Sequence, residues 1–278
     1  MLQNKRLFDS VLVIGASGKT GSLVSRKLAS MGIPHKTAAR TSGLRFDWND
    51  ENTWKNALNG TTAIYLTYFP NLTVPSAIEH ICRFCSLAKE LNVKHITMLS
   101  ERGEDVALLC ERIVINSSLS WTIVRTSLLY QNFTEGLFNY YIKNGLIALP
   151  VTSIKEPFVD IHDIADAVVA SLTDVRHENK IYEVTGPELL SFLDIARKFS
   201  EVLGRKIEFK PTSLEEFFMK LFRLGLAPEI IQKYKYLSTV MLDGKNEYLS
   251  SGLQLAINRA PITFDEFILQ SRDCFIDN

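Results

Sequence analysis

Apolar positions in the first half of the chain follow two alternating rhythms. Short apolar, β-branched runs, "SVLVIG", "HKTAAR", "TAIYLTY", "KHITMLS" and "WTIVRTS", read as buried strands. Between them apolar residues return every three or four positions. In "TGSLVSRKLASMG", Leu23, Val24, Leu28 and Met31 share one helical face and Gly32 closes the helix. In "SAIEHICRFCSLAKEL", Ile78, Ile81, Cys82, Cys85, Ala88 and Leu91 do the same. This alternation predicts an α/β fold with a Rossmann-type doubly wound parallel sheet, and places ligands at the carboxyl ends of its strands.

The rhythm changes after about residue 127. "LLYQNFTEGLFNYYIKNG" is aromatic-rich, and "EPFVDIHDIADAVVASLTD" reads as a short strand and a helix, with Asp160 or Asp163 as N-cap. "KIYEVTGP" and "RKIEFKPTS" read as extended, "SFLDIARKFSEVLG" as a helix capped by Gly204, and the tail from Leu214 as helical and apolar. The expected organisation is a nucleotide-binding domain over residues 1–150. A smaller C-terminal α/β substrate lobe over 151–278 would fold onto it as one compact unit.

Composition narrows the function classes. Lys+Arg and Asp+Glu are equal at 31 each, which supplies no net field for nucleic acid or an acidic membrane surface. No apolar run approaches the roughly 20 residues of a membrane span. The start, "MLQNKRLFDS", has charge but no apolar signal core. A cytoplasmic protein with no nucleic-acid or membrane partner is expected. Of the four cysteines, Cys82 and Cys85 form a C-x-x-C, open to a redox or zinc reading. Their helical spacing favours plain buried thiols on one apolar face. No second Cys/His pair stands at zinc spacing, and no metal site is expected.

The candidate chemistry begins at "VLVIGASGKTG". Gly-Lys-Thr closes an ATP-type phosphate loop, but that loop requires glycine where Val13 stands. Gly15-x-x-Gly18-x-x-Gly21, between a buried strand and an amphipathic helix, fits a dinucleotide turn. Gly15 permits the turn, Gly18 lets backbone approach a pyrophosphate, and Gly21 lets the helix pack close. The helix start offers N–H groups to the phosphates. An NAD site carries Asp or Glu at the end of the second strand, about 20 residues on. Here "TAARTS" puts Arg40 there, which suits a 2′-phosphate, with Lys19, Thr41 and Ser42 as further donors. NADPH is the expected cofactor.

These stretches, with "FDW" at Phe46 to Trp48, "WTIVR", "YQNF", "PFVDIHDIAD" and "YEVTGP", resemble NmrA-like atypical short-chain dehydrogenases over nearly the whole chain. "FDWNDENTW" and "APITFDEFILQSRD" resemble the festuclavine synthase and agroclavine dehydrogenase branch, NADPH-dependent iminium reductases of ergot alkaloid synthesis. The resemblance implies NADPH contacts from Gly15, Ser17, Gly18, Lys19, Thr20, Gly21 and Arg40. It implies adenine contacts near Asp47, and nicotinamide-side contacts at Thr67, Tyr68, Phe69, Ser100, Thr126 and Ser127.

The chain departs from ordinary short-chain dehydrogenases in one respect. Their Tyr-x-x-x-Lys lies on the helix after the fifth strand; here that helix reads "GEDVALLCERIVINSS". Hydride addition to an iminium ion gives an amine without a proton donor, and a reduced quinone takes its proton from water. A ketone would need a donor. If one is used, Ser100, Glu101 and Tyr130 are the polar candidates, and Ser100 and Tyr130 the expected catalytic pair. Glu111, within the helix, reads as an ion-pair residue. Tyr130, Phe133, Phe138, Tyr140, Tyr141, Phe217 and Phe218 offer aromatic faces for a flat acceptor in a pocket between the sixth-strand region and the lobe, although many would serve as core. Two functions stay open: a reductase of a small conjugated acceptor, iminium or quinone, and a non-catalytic NADP(H) sensor that binds a protein partner.

Overall fold

The computed structural model describes residues 8–151 and 153–276. The charged start, residues 1–7, where no export signal is expected, lies outside the described residues. The chain runs β1 (Val11–Ile14), α1 (Lys19–Ser30), β2 (His35–Ala39), β3 (Leu44–Arg45), α2 (Asn52–Leu58), β4 (Ala63–Leu66), α3 (Ser76–Glu90), β5 (His95–Glu101), α4 (Asp105–Ile115) and β6 (Ser120–Thr126). It continues through α5 (Gly136–Lys143), β7 (Leu146–Leu149), α6 (Ile161–Thr173), β8 (Lys180–Val184), α7 (Phe192–Leu203) and β9 (Glu208–Pro211). The last helices are α8 (Leu214–Arg223), α9 (Pro228–Tyr236), α10 (Gly252–Ile257) and α11 (Phe264–Gln270). Among the described residues no helix is long and apolar enough to cross a membrane.

Seven strands form one parallel sheet in the order β3-β2-β1-β4-β5-β6-β8. The order reverses at β1, whose neighbours are β2 and β4. At such a switch point the two flanking connections diverge and leave a crevice beyond the strand ends. The central strands are buried along their whole length because helices cover both faces: Val11 to Ile14 and Ala63 to Leu66 are fully apolar and buried. Phe84, Cys85 and Ala88 of α3 and Ala107, Cys110 and Val114 of α4 pack on one face. The other face receives α1 and α6, which pack on each other.

The chain divides into two compact units. The first takes the chain up to Thr126, Ile161–Val184 and Ser250–Ala260; the second takes Ser127–Asp160, Thr185–Leu249 and the chain from Pro261 on. A single cut near residue 150 is therefore not what is observed. β8 returns to the open edge of the sheet beside β6, and α10 packs on β8 and α6. Gly252 of α10 lies so close to the Glu183 backbone that a Cβ would collide with it. Arg259 binds Asp163 at 2.6 Å and Asp166 at 2.5 Å, and Lys27 of α1 meets Asp166 at 2.5 Å.

The second unit pairs β7 with β9 and surrounds an aromatic core. Phe133, Phe138, Tyr141 and Phe217, which the sequence offers to a flat ligand, are buried in that core with Phe199 and Phe264. The short strand expected at "EPFVD" is two isolated bridges, Glu156 with Leu190 and Val159 with Leu129; Pro157 between them has no N–H to continue a ladder. Two smaller expectations also change. Met31 is mostly exposed, since α1 ends at Ser30. Cys82 faces solvent while Cys85 is buried, because Phe84 takes the place on the α3 core face that the spacing gave to Cys82.

Candidate functional site: the glycine-loop cleft

The turn after β1 is shaped by what leaves no room for a side chain. Gly15 has φ +73°, and a Cβ there would run into the Thr67 hydroxyl, which donates to the Ile14 carbonyl at 3.0 Å. Gly21, in the first turn of α1, would drive a Cβ into the Gly15 carbonyl. Gly18 N–H donates back to the Gly15 carbonyl at 2.9 Å, and Gly15 N–H to Ala38 at 2.9 Å. Gly18 is the N-cap of α1 and no side chain caps it. The helix therefore starts with backbone donors rather than a Ser or Asp oxygen at its positive end. Thr20 accepts a hydrogen bond from the Tyr65 hydroxyl at 3.0 Å, fixing its rotamer from below.

Above this turn opens a cleft of about 380 Å3 within the first unit. Its floor is Gly15, Ser17, Gly18 and Thr20, with Thr67, Tyr68 and Phe69 on the β4 side and Arg40 and Asp47 on the β2–β3 side. Of the expected cofactor residues, Lys19, Gly21, Ser100, Thr126 and Ser127 are not among the lining; the others share it. Ser42, a candidate phosphate donor, is instead spent on its own turn: it accepts from Ala39 N–H at 2.8 Å and donates to Leu44 at 2.6 Å.

Trp48, which sequence reasoning left out of the site, forms a wall. Its indole N–H donates to the Thr67 carbonyl at 3.1 Å and its ring lies 4.9 Å from that of Tyr68. The Asp47 carbonyl accepts from the Trp54 indole at 2.8 Å, and its carboxylate accepts from Asn49 N–H at 3.1 Å. The Tyr68 hydroxyl bonds the His80 ring at 2.7 Å, and burial pushes its pKa up. Nothing in the chain's pattern signals this, because the partner of the Trp48 indole lies after β4, on the other side of the glycine turn.

The carboxyl end of β5 is built differently. Ser100 is buried and donates to Glu111 at 2.6 Å; Arg125 of β6 grips the same carboxylate through Nε at 2.9 Å and Nη2 at 2.6 Å. Glu111 is thus the ion-pair residue its place in α4 suggests, and Ser100 is one of its ligands rather than a residue of the cleft. Tyr130 lies in the 3-10 turn Tyr130–Thr134 of the second unit, fully buried against Phe264 and Phe267, its hydroxyl donating to Ile262 at 3.4 Å. Neither residue of the expected catalytic pair presents a free hydroxyl. Glu101, the third candidate, is half-buried, and its carboxyl accepts from Leu72 N–H at 3.4 Å. Burial pushes it up to about 7, Leu72 opposing and Glu104 adding to the rise. Thr126 ends β6 with its carbonyl accepting from Arg102 N–H at 3.2 Å, and Ser127 is buried.

Cys85 of the C-x-x-C is held as a thiol. Burial pushes Cys85 up to about 12, with Cys82 and Cys110 adding to the rise. Among the described residues no group of three or more His, Cys, Asp and Glu could hold a metal ion.

Comparison with known proteins places these features. The chain is 26% identical over 275 residues to the prestalk A differentiation protein A of Dictyostelium discoideum, covering 93% of this chain and 91% of that one. It is 25% identical over 285 residues to an agroclavine dehydrogenase of Claviceps fusiformis, covering 96% and 99%. A crystal structure of a triphenylmethane reductase from Citrobacter sp., complexed with NADP(H), superposes with a TM-score of 0.80 at 21% identity, over 94% of this chain and 99% of that one. Residues 105–268 match the NmrA-like family. The chain belongs to the NmrA-like family.

Proposed function

We propose that the protein is an NADPH-dependent reductase of a small, flat, conjugated acceptor, an iminium ion or a quinone. The observation that carries this reading is Arg40: a cation stands on the rim of the glycine-loop cleft where a site for NAD has a carboxylate. The turn beneath the cleft is packed too closely for side chains at Gly15 and Gly21, as the glycine turn of a dinucleotide site requires. Gly15, Ser17, Gly18 and Thr20 would hold the pyrophosphate, Arg40 the 2′-phosphate, and Asp47 and Trp48 would flank the adenosine half.

Bound NADPH supplies a hydride to the acceptor. The chain's part is to bind, to orient and to keep the acceptor's chemistry within what it can serve. α4 carries neither Tyr nor Lys, and its one buried acid, Glu111, is committed to Ser100 and Arg125. An acceptor whose reduction ends in an amine, or in an anion that aromaticity stabilises, fits a site so equipped. The kinship with proteins named agroclavine dehydrogenase and triphenylmethane reductase supports a conjugated acceptor over a simple ketone.

The test is NADPH oxidation by the purified protein, followed by absorbance, against a panel of quinones, cyclic iminium ions and simple ketones. Saturable turnover with a quinone or an iminium ion and none with ketones is expected. Tight NADPH binding without turnover of any member would replace the reductase by a non-catalytic NADPH-binding protein.

A further inference from the structure

Arg40 follows β2 and Phe69 follows β4, and β1 with its glycine turn runs between those two strands. The two side chains nevertheless meet: the Arg40 guanidinium carbon stands 3.8 Å from the centre of the Phe69 ring. Both line the cleft. Among the described residues, the Arg40 side chain makes no hydrogen bond or ion pair, and this is its only ring contact. Phe69 is 55% exposed and belongs to neither hydrophobic core. An aromatic left in water on a cleft rim, with a cation on its face, is not explained by packing.

Stacking uses the face of a guanidinium and leaves its in-plane N–H fork unspent. That fork is the part of arginine that matches a phosphate. A long exposed side chain otherwise loses rotamer freedom when it binds, and a ring that already holds it reduces that cost. We propose that Phe69 is a positioning residue for cofactor choice: its ring holds the Arg40 guanidinium face-on, ready for a 2′-phosphate, and so raises the preference for NADPH over NADH. This rests on the reading above that Arg40 recognises that phosphate.

The experiment is calorimetric titration of the purified full chain with NADPH, NADH and adenosine 2′,5′-bisphosphate. The proteins are wild type, R40A, F69L, F69W and R40A/F69L. R40A is expected to weaken NADPH at least tenfold and to leave NADH nearly unchanged. F69L is expected to weaken NADPH and the bisphosphate about twofold to fivefold, the worth of an exposed cation–π contact, with NADH unchanged. F69W should restore the wild-type preference, and F69L should add nothing once Arg40 is gone. An equal loss of NADPH and NADH in F69L would overturn the proposal, since the ring would then serve the adenosine half as a wall. So would an unchanged F69L beside a weakened R40A, because Arg40 would then find the phosphate unaided. If R40A itself keeps the preference, the phosphate reading fails first and the role of Phe69 goes with it.

Discussion

Two strand ends in the same sheet treat polar side chains in opposite ways. Around the turn after β1, Arg40 at the end of β2 has its guanidinium on the Phe69 ring and no side-chain hydrogen bond or ion pair among the described residues, and α1 begins without a side-chain cap. Beyond β5, Ser100 and Arg125 converge on Glu111 and satisfy it at 2.6 Å each. In both places a polar residue sits at the edge where this fold binds ligands. Only the first leaves its donors unspent among the described residues. The second is closed on itself, and it ties α4 to β5 and β6. Residue type therefore does not separate a binding group from a scaffold group, whereas the partners it already has do so.

Removing the hub of the closed region should produce the largest effect. E111A would leave the Arg125 guanidinium half-buried without its acid and the Ser100 hydroxyl without its acceptor. Breaking such a pair from one side costs about 3–5 kcal/mol, and the exposed part of Arg125 puts the expectation at the lower end. Denaturant unfolding should show this loss, with the NADPH dissociation constant of the folded fraction nearly unchanged. A variant as stable as wild type but unable to turn over would move Glu111 from scaffold to chemistry and erase the contrast.

The open region should respond in the opposite sense. G21A places a methyl against the Gly15 carbonyl, so the turn has to move away from the start of α1. Cofactor affinity is expected to fall at least thirtyfold, about 2 kcal/mol, with a smaller change in melting temperature. Affinity within threefold of wild type would mean that the cradle adapts and that its close fit is not what selects glycine.

These two regions also differ in how far the chain's pattern revealed them. The glycine turn was legible because its requirement is local: Gly15, Gly18 and Gly21 lie within seven positions, between a buried strand and an amphipathic helix. The place of Arg40 on the cleft rim was legible because strand ends have a fixed meaning in this fold. Glu111 showed half of its role, as a carboxylate on the buried face of α4 beside Ala107, Cys110 and Val114 needs a cation. Which cation, and that Ser100 would be drawn in, depends on β5 and β6 being neighbours, which periodicity does not encode. Trp48 was hidden for the same reason, its indole N–H being paired with a carbonyl on β4's far side of the switch point. The return of β8 and α10 to the first unit likewise follows from sheet order, and a single cut along the chain cannot represent it.

Glu101 lies between the two cases, half-buried at the end of β5 and desolvated, and it offers the finest test. Its carboxyl is pushed up to about 7 from the ordinary 4.5. An acid raised on folding prefers its proton in the folded state. Its contribution is complete below about pH 4.5, is lost as the pH climbs to about 7, and above that is a constant cost. E101Q keeps the oxygen that accepts from Leu72 N–H and is neutral throughout. The two proteins should therefore melt together near pH 4.5, and E101Q should melt higher at pH 8. Screened by the water that reaches the partly exposed side chain, the gain is expected to be about 1 kcal/mol, or roughly 2–4 °C for a chain of this size. Thermal melts at four pH values decide it. Parallel curves at every pH would mean that Glu101 is hydrated like any surface acid, and that the carboxyl end of β5 is as open to water as the cleft beyond β1.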